Sequence, residues 1–168
     1  MRTNLTIVAA IVVIAMFVPS GIFAGIPFRK IHAKDIPSIV AGDSGKVVLV
    51  NLWATWCGEC REEMPALLKL REEMPERGFV LELFSADDAE DSLKAAKYLD
   101  SLGVKFQTYL KADINDDELI AGLDSTWSGA LPTSLLFDRR GKMVEQIVGA
   151  KKYDFFKKRI DGLLARKN

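Results

Sequence analysis

Cysteine and histidine are scarce in this chain: two cysteines, at positions 57 and 60, and one histidine, His32. So few cysteines exclude a disulfide-dense scaffold. A tetrahedral zinc site needs about four ligands, more than one cysteine pair and a distant His32 can offer. An excess of either charge is also missing, since 23 Lys and Arg balance 23 Asp and Glu. No basic run interleaved with aromatics occurs, which argues against a nucleic-acid partner. Internal repeats, low-complexity tracts and linkers are absent beyond residue 30. With 49% hydrophobic and 27% charged residues, the 168-residue chain has the composition of one folded domain.

Acidic residues are missing altogether before Asp35, and that stretch is apolar. From Leu5 to Val18 only Thr6 is polar, with Arg2 ahead of the run and Pro19-Ser20-Gly21 behind it. Residues 1–28 therefore read as a signal peptide or an N-terminal membrane anchor, ahead of a folded unit at 29–168. A cleavage point after Ala24 has Ile22 at the third position back, a poor match to the small-x-small rule. Uncleaved, Leu5 to Phe28 is long enough to span a bilayer at about 1.5 Å per residue. With Arg2 inside, such an anchor leaves the folded unit outside the cytoplasm.

Beyond residue 30, strand and helix periods alternate. Lys46 to Leu52 is a β-branched apolar run, the pattern of a strand buried on both faces, and Phe79 to Ser85 is a second strand. Arg61 to Glu73 reads as a helix with Pro65 inside it, where proline should remove a backbone bond and kink the axis. Asp91 to Leu102 reads as a helix with Leu93, Ala95, Ala96 and Leu99 inward and Gly103 as its C-cap. Phe106 to Leu110 is a short strand, and Asp116 to Leu123 a short helix that Asn115 or Asp116 can cap. Ser134 to Phe137 and Met143 to Val148 flank a Gly-containing hairpin loop. Tyr153 to Ala165 is amphipathic, with Phe155, Phe156, Ile160, Leu163 and Leu164 on one face. This βαβαβαββα order predicts an α/β fold, a mixed central sheet flanked by helices.

Cys57 and Cys60 follow the first buried strand and open a helix. A sulfur at a helix N-terminus faces unpaired N–H groups, which lower its pKa and make it a nucleophile near neutral pH. Three residues is nearly one helical turn, so Cys60 stands beside Cys57 and can resolve a mixed disulfide formed on it. Cys57, nearer the free end, is the expected exposed attacker. A structural staple and a pair of inert thiols compete with this reading. So small a loop would stabilise little as a staple, and a helix cap is a poor place to hide sulfur.

The run Val48-Leu49-Val50-Asn51-Leu52-Trp53-Ala54-Thr55-Trp56-Cys57-Gly58-Glu59-Cys60-Arg61-Glu62-Glu63-Met64-Pro65 resembles the active-site block of the thioredoxin superfamily. More closely it resembles the TlpA/ResA-like branch of bacterial membrane-anchored thiol–disulfide oxidoreductases. Leu131-Pro132-Thr133-Ser134-Leu135-Leu136-Phe137-Asp138, followed by Gly141-Lys142, resembles that branch's second signature. The resemblance covers Asp35 to the C-terminus and implies a thioredoxin-like fold with a βα-type insertion between Asp91 and the helix after Asn115. It also implies a cis Leu131–Pro132 bond facing the cysteines, with Trp56, Leu131, Pro132 and Thr133 meeting a client. The redox group is then the Cys57–Cys60 disulfide itself, with no further cofactor and no metal.

Asn51 stands where cytosolic thioredoxins carry a buried Asp, and Glu63 matches a Glu that this branch places near its disulfide. Glu63 is expected to take the acid–base role if an apolar wall raises its pKa; otherwise it is a solvated helix carboxylate beside Glu62. Glu59 replaces the proline usual after Gly58, and its charge should disfavour a thiolate and make the pair more reducing. Trp53 is expected under the sheet and Trp127 either in the client groove or in the core. His32 is read as structural or surface, and the Asp113, Asp116, Asp117, Glu118 cluster as a solvated helix start. The resemblance implies an extracytoplasmic reductant of client disulfides, apocytochrome c among them, supplied with electrons by a membrane thiol–disulfide donor. The rivals are a disulfide oxidase or isomerase and a non-catalytic tethered client-binding module.

Overall fold

The computed structural model describes residues 28–112, 115–123 and 127–166. The apolar leader, the point after Ala24 and Asp113 lie outside these residues. Among the described residues no helix is long and apolar enough to cross a membrane.

The elements run β1 (Phe28–Ile31), α1 (Ile36–Gly42), β2 (Val47–Trp53), α2 (Gly58–Glu73), β3 (Phe79–Ser85), α3 (Ser92–Ser101), β4 (Thr108–Lys111), α4 (Asp116–Leu123), β5 (Thr133–Phe137), β6 (Met143–Val148) and α5 (Tyr153–Leu164). They form one six-stranded mixed sheet ordered β1-β4-β3-β2-β5-β6. β1, β4, β3 and β2 are parallel, whereas β5 pairs antiparallel with β2 and β6 with β5. The expected α/β fold is present, with two additions ahead of β2. β1 and α1 escaped the sequence reading because Arg29 and Lys30 point outward and α1 is only seven residues long.

β2 is central and buried along its whole length, as its apolar run requires. Its alternation divides the core. Val47, Leu49 and Trp53 face α2, α3 and α5, while Val48, Val50 and Leu52 face α1 and α4. Asn51 shares the parity of Val47, Leu49 and Trp53, so this polar residue is pointed at α2.

Leu93, expected inward, is 60% exposed, whereas Ala95, Ala96 and Leu99 are buried. At about 100° per residue, Leu93 stands roughly 115° from the centre of that buried face. Gly103 does end α3, at φ +75°: its N–H bonds the Asp100 carbonyl (2.9 Å) and the Val104 N–H that of Leu99 (3.0 Å). This paired closure needs the left-handed conformation that glycine adopts without steric cost. Asn115 caps α4, its Oδ1 accepting the Glu118 N–H at 2.9 Å.

On the α1 face, the half-buried Glu82 lies beside Asp43. Burial and the Asp43 carboxyl push its pKa up from 4.5 to about 7. The folded state therefore binds a proton more tightly than the unfolded state. This contribution is complete below about pH 4.5 and is lost as pH rises through about 7. Glu82→Gln should flatten that slope and be more stable than the wild type at pH 8. The expected gain is about 1 kcal/mol, kept below the full linkage value by solvent screening. Urea unfolding of both proteins at pH 5 and pH 8 checks it.

Candidate active site

Four residues, Ala54 to Cys57, connect the end of β2 to α2. Cys57 is the N-cap of α2, and its Sγ accepts the Cys60 N–H at 3.1 Å. The two cysteines form a disulfide with an S–S distance of 2.04 Å. The sulfur thus lies against the helix's unpaired donors, where negative charge is favoured. Cys57 is 8% exposed and Cys60 1%, so the first is the more accessible, though neither lies open. Trp56 beside them is 64% exposed, and Gly58 and Glu59 are also at the surface.

Directly behind the disulfide, α2 presents Glu63 on the side occupied by Cys60, three residues earlier. Glu63 is only 3% exposed, which removes the solvated alternative. Its Oε2 accepts the Asn51 amide at 2.9 Å and its Oε1 the Lys151 backbone N–H at 2.9 Å. Asn51 also donates to Ser134 Oγ at 3.0 Å, across the β2–β5 ladder in which the two residues are partners. Burial raises the Glu63 pKa. The Lys151 and Asn51 hydrogen bonds and the Lys151 charge pull it back, and the Glu59 charge adds to the rise.

Pro65 leaves the Arg61 carbonyl without its helical donor, yet α2 continues unbroken to Glu73. The Tyr98 hydroxyl from α3 donates to that carbonyl at 3.3 Å. The Tyr98 ring lies 5.5 Å from the buried Trp53 ring, and the Arg61 guanidinium lies over it at 5.7 Å. The turn that carries both cysteines is thereby anchored to the neighbouring helix, and Trp53 is under the sheet as expected.

The Leu131–Pro132 bond is cis. The Pro132 carbonyl accepts the Gly149 N–H at 2.9 Å. Thr133 is completely buried; its hydroxyl donates to the Ala130 carbonyl (2.8 Å) and accepts the Trp127 indole N–H (3.1 Å). The Thr133 side chain therefore shapes the loop from within. Among the described residues, the peptide groups of Leu131 take no internal backbone hydrogen bond. Trp56, Trp127, Leu131, Leu119 and Ile120 line a cavity of about 170 Å³ beside them. Trp127 thus serves both readings, buried in the core and lining this groove. A larger cleft of about 490 Å³ lies between β6 and α5, outside this cluster, so volume does not locate the chemistry. His32 is exposed and caps the short turn at Ala33–Asp35, its backbone N–H donating to Asp35 at 3.2 Å.

Ser134, Lys151, Tyr98 and Asp87 were not singled out from the sequence. Only Ser134 left a signal there, two residues after Pro132 on the strand opposite Asn51. The other three reach the site through tertiary contacts.

A strand–loop–helix that caps itself with a CxxC disulfide, opposed by a cis-proline loop, defines a thioredoxin-like thiol–disulfide oxidoreductase. Residues 33–164 match the Redoxin family model, and the chain belongs to that family. It is 33% identical over 131 residues to thiol-disulfide oxidoreductase ResA of Bacillus thuringiensis (strain Al Hakam), covering 78% of this chain and 67% of the relative. With thiol:disulfide interchange protein DsbE of Pseudomonas fluorescens biotype C it shares 32% identity over 156 residues, 84% of this chain and 81% of the relative. The crystal structure of a thioredoxin-family thiol:disulfide interchange protein from Chlorobium tepidum TLS superposes with a TM-score of 0.61 at 26% identity. That match covers 74% of this chain and 84% of the other.

Proposed function

We propose that the chain is an extracytoplasmic reductant of client-protein disulfides, with the Cys57/Cys60 pair as its only redox group. In the reduced form the Cys57 thiolate attacks a client disulfide, making a Cys57–client bond and releasing one client thiolate. Cys60, its proton taken by Glu63, then attacks Cys57 and releases the second client thiol. Two electrons pass to the client, and the Cys57–Cys60 disulfide is left behind. The observation that carries this reading is the Cys57 sulfur on the N-terminus of α2 with the buried Glu63 about one turn beyond Cys60. Trp56 and Leu131 would meet the client while Pro132 and Thr133 hold the loop between them.

The apolar leader and the relatives named ResA and DsbE support an extracytoplasmic, membrane-tethered or periplasmic setting and a client such as apocytochrome c. A reductant in an oxidising compartment needs resupply, which implies a membrane thiol–disulfide donor. Two measurements test the proposal. Reduced protein should cleave a model protein disulfide, and the pair should remain oxidised in glutathione buffers that reduce an oxidising couple. A pair already reduced in those buffers would overturn the direction of electron flow.

Glu59, exposed in the first turn of α2, bears on that direction. Its charge opposes the thiolate that the helix favours, so Glu59→Gln or Glu59→Pro should raise the midpoint potential. Glutathione equilibration followed by thiol alkylation checks the sign, and high salt should shrink the effect.

A further inference from the structure

Glu63 is not the only carboxylate buried near the disulfide, and the exchange steps above make no use of the other. Asp87, in the link between β3 and α3, is fully buried. Its side chain serves chiefly one residue. Oδ1 accepts the Thr55 N–H at 3.0 Å and the Thr55 hydroxyl at 2.7 Å. Oδ2 accepts the same N–H at 3.0 Å and the Ser85 hydroxyl at 2.8 Å. Thr55 stands two residues before Cys57, in the loop that delivers it.

The residues on either side of Asp87 brace this contact. The Ala86 N–H donates to the Trp53 carbonyl at 2.8 Å, and Asp88 pairs with the buried Lys111 ammonium at 2.9 Å. The Asp87 N–H itself donates to Ser85 Oγ at 3.1 Å. Burying a carboxylate is costly unless it is hydrogen-bonded, and here both oxygens accept from the loop or from the end of β3. The turn is itself largely buried, at Ala54, Thr55 and Cys57, so its polar groups need partners, and the residue that Asp87 holds stands two positions before Cys57.

We infer that Asp87 is a positioning residue for thiol exchange: by gripping Thr55 it sets where the Cys57 sulfur sits on the N-terminus of α2, and hence its reactivity. This rests on the reading of Cys57 as the attacking thiol. Misplacement of a reacting atom by about 1 Å can cost on the order of a hundredfold in rate.

The test uses the full chain in detergent. It compares wild type, Asp87→Ala, Asp87→Asn and Thr55→Val by kcat/KM for reduction of a model protein disulfide, by the pH profile of Cys57 alkylation with iodoacetamide, and by Tm. Asp87→Ala should lose at least about tenfold in kcat/KM and shift the alkylation profile. Asp87→Asn keeps an oxygen for Thr55, and the Ser85 hydroxyl can turn to accept from the new amide, so it should recover most of both. Wild-type kcat/KM and alkylation in folded Asp87→Ala overturn the inference. So does an Asn variant no better than Ala, with losses that follow a common fall in Tm. Should Asp87→Ala not fold, Thr55→Val, which removes only the 2.7 Å bond, decides: about a threefold loss is expected, and wild-type behaviour overturns the idea. A wild type unable to reduce the client removes the proposed activity instead. The alkylation profile, which needs no client, still decides the role of Asp87.

Discussion

Replacing Cys57 by serine should lower turnover of a model disulfide by about a thousandfold or more, because a hydroxyl at that position is not ionised and is a poor nucleophile toward sulfur. The partner variant should behave differently. Cys60→Ser keeps the attacker on the helix N-terminus and removes the group that resolves the mixed disulfide, so it should accumulate a covalent client adduct. Non-reducing electrophoresis with a disulfide-bearing client reads both at once: an adduct with Cys60→Ser and none with Cys57→Ser. Adducts on Cys60 in the Cys57→Ser protein would reverse the two roles. The structure makes the assignment asymmetric, because only Cys57 caps the helix and Cys60 is the more deeply buried.

Glu63→Gln should slow exchange by about a hundredfold at neutral pH, the lower range for loss of a positioned general base. Its effect should depend on pH in a defined sense. Burial holds the folded-state pKa of Glu63 above 4.5, so in wild type the base is lost as pH falls through that raised value. The rate should drop there with it, and the variant should lack that limb. Stability moves the other way. Because the folded pKa is the higher one, the wild type's contribution from this group is complete below about pH 4.5 and fades as pH rises through the folded value. Single-turnover kinetics and urea unfolding from pH 5 to pH 8 separate the two, and an unchanged rate and thiol titration across that range would end the role. Asn51→Ala, which takes away one of the two bonds to the carboxylate, should move the limb without abolishing it.

Much of this site was legible along the chain, because its parts are contiguous. The Trp56–Cys60 block sits between an apolar run and a helical period, and that order alone puts sulfur on a helix end. Pro132 was legible for a similar reason, a short signature ahead of a hairpin. Leu93 misled the reading because an apolar residue in the first turn of a helix satisfies the pattern without reaching the core. The burial of Thr133 was not legible, because it comes from the ladder that pairs it with Leu52 on β2.

The sequence by itself determined the chemistry: two cysteines one turn apart, a strand before them, a helix after them and too few other ligands for a metal. Those are local properties, set by spacing, backbone period and composition. What only the tertiary structure decided is the environment of that chemistry. Whether Glu63 is dry depends on β2, β5 and the Lys151 loop closing over it, 88 residues away along the chain. The hydroxyl that completes the helix at Pro65 comes from α3, and the carboxylate that grips Thr55 comes from the link after β3. Such contacts form between residues far apart in sequence, where neither periodicity nor propensity carries a signal. Burial and hydrogen bonding, not residue identity, then set what each group does.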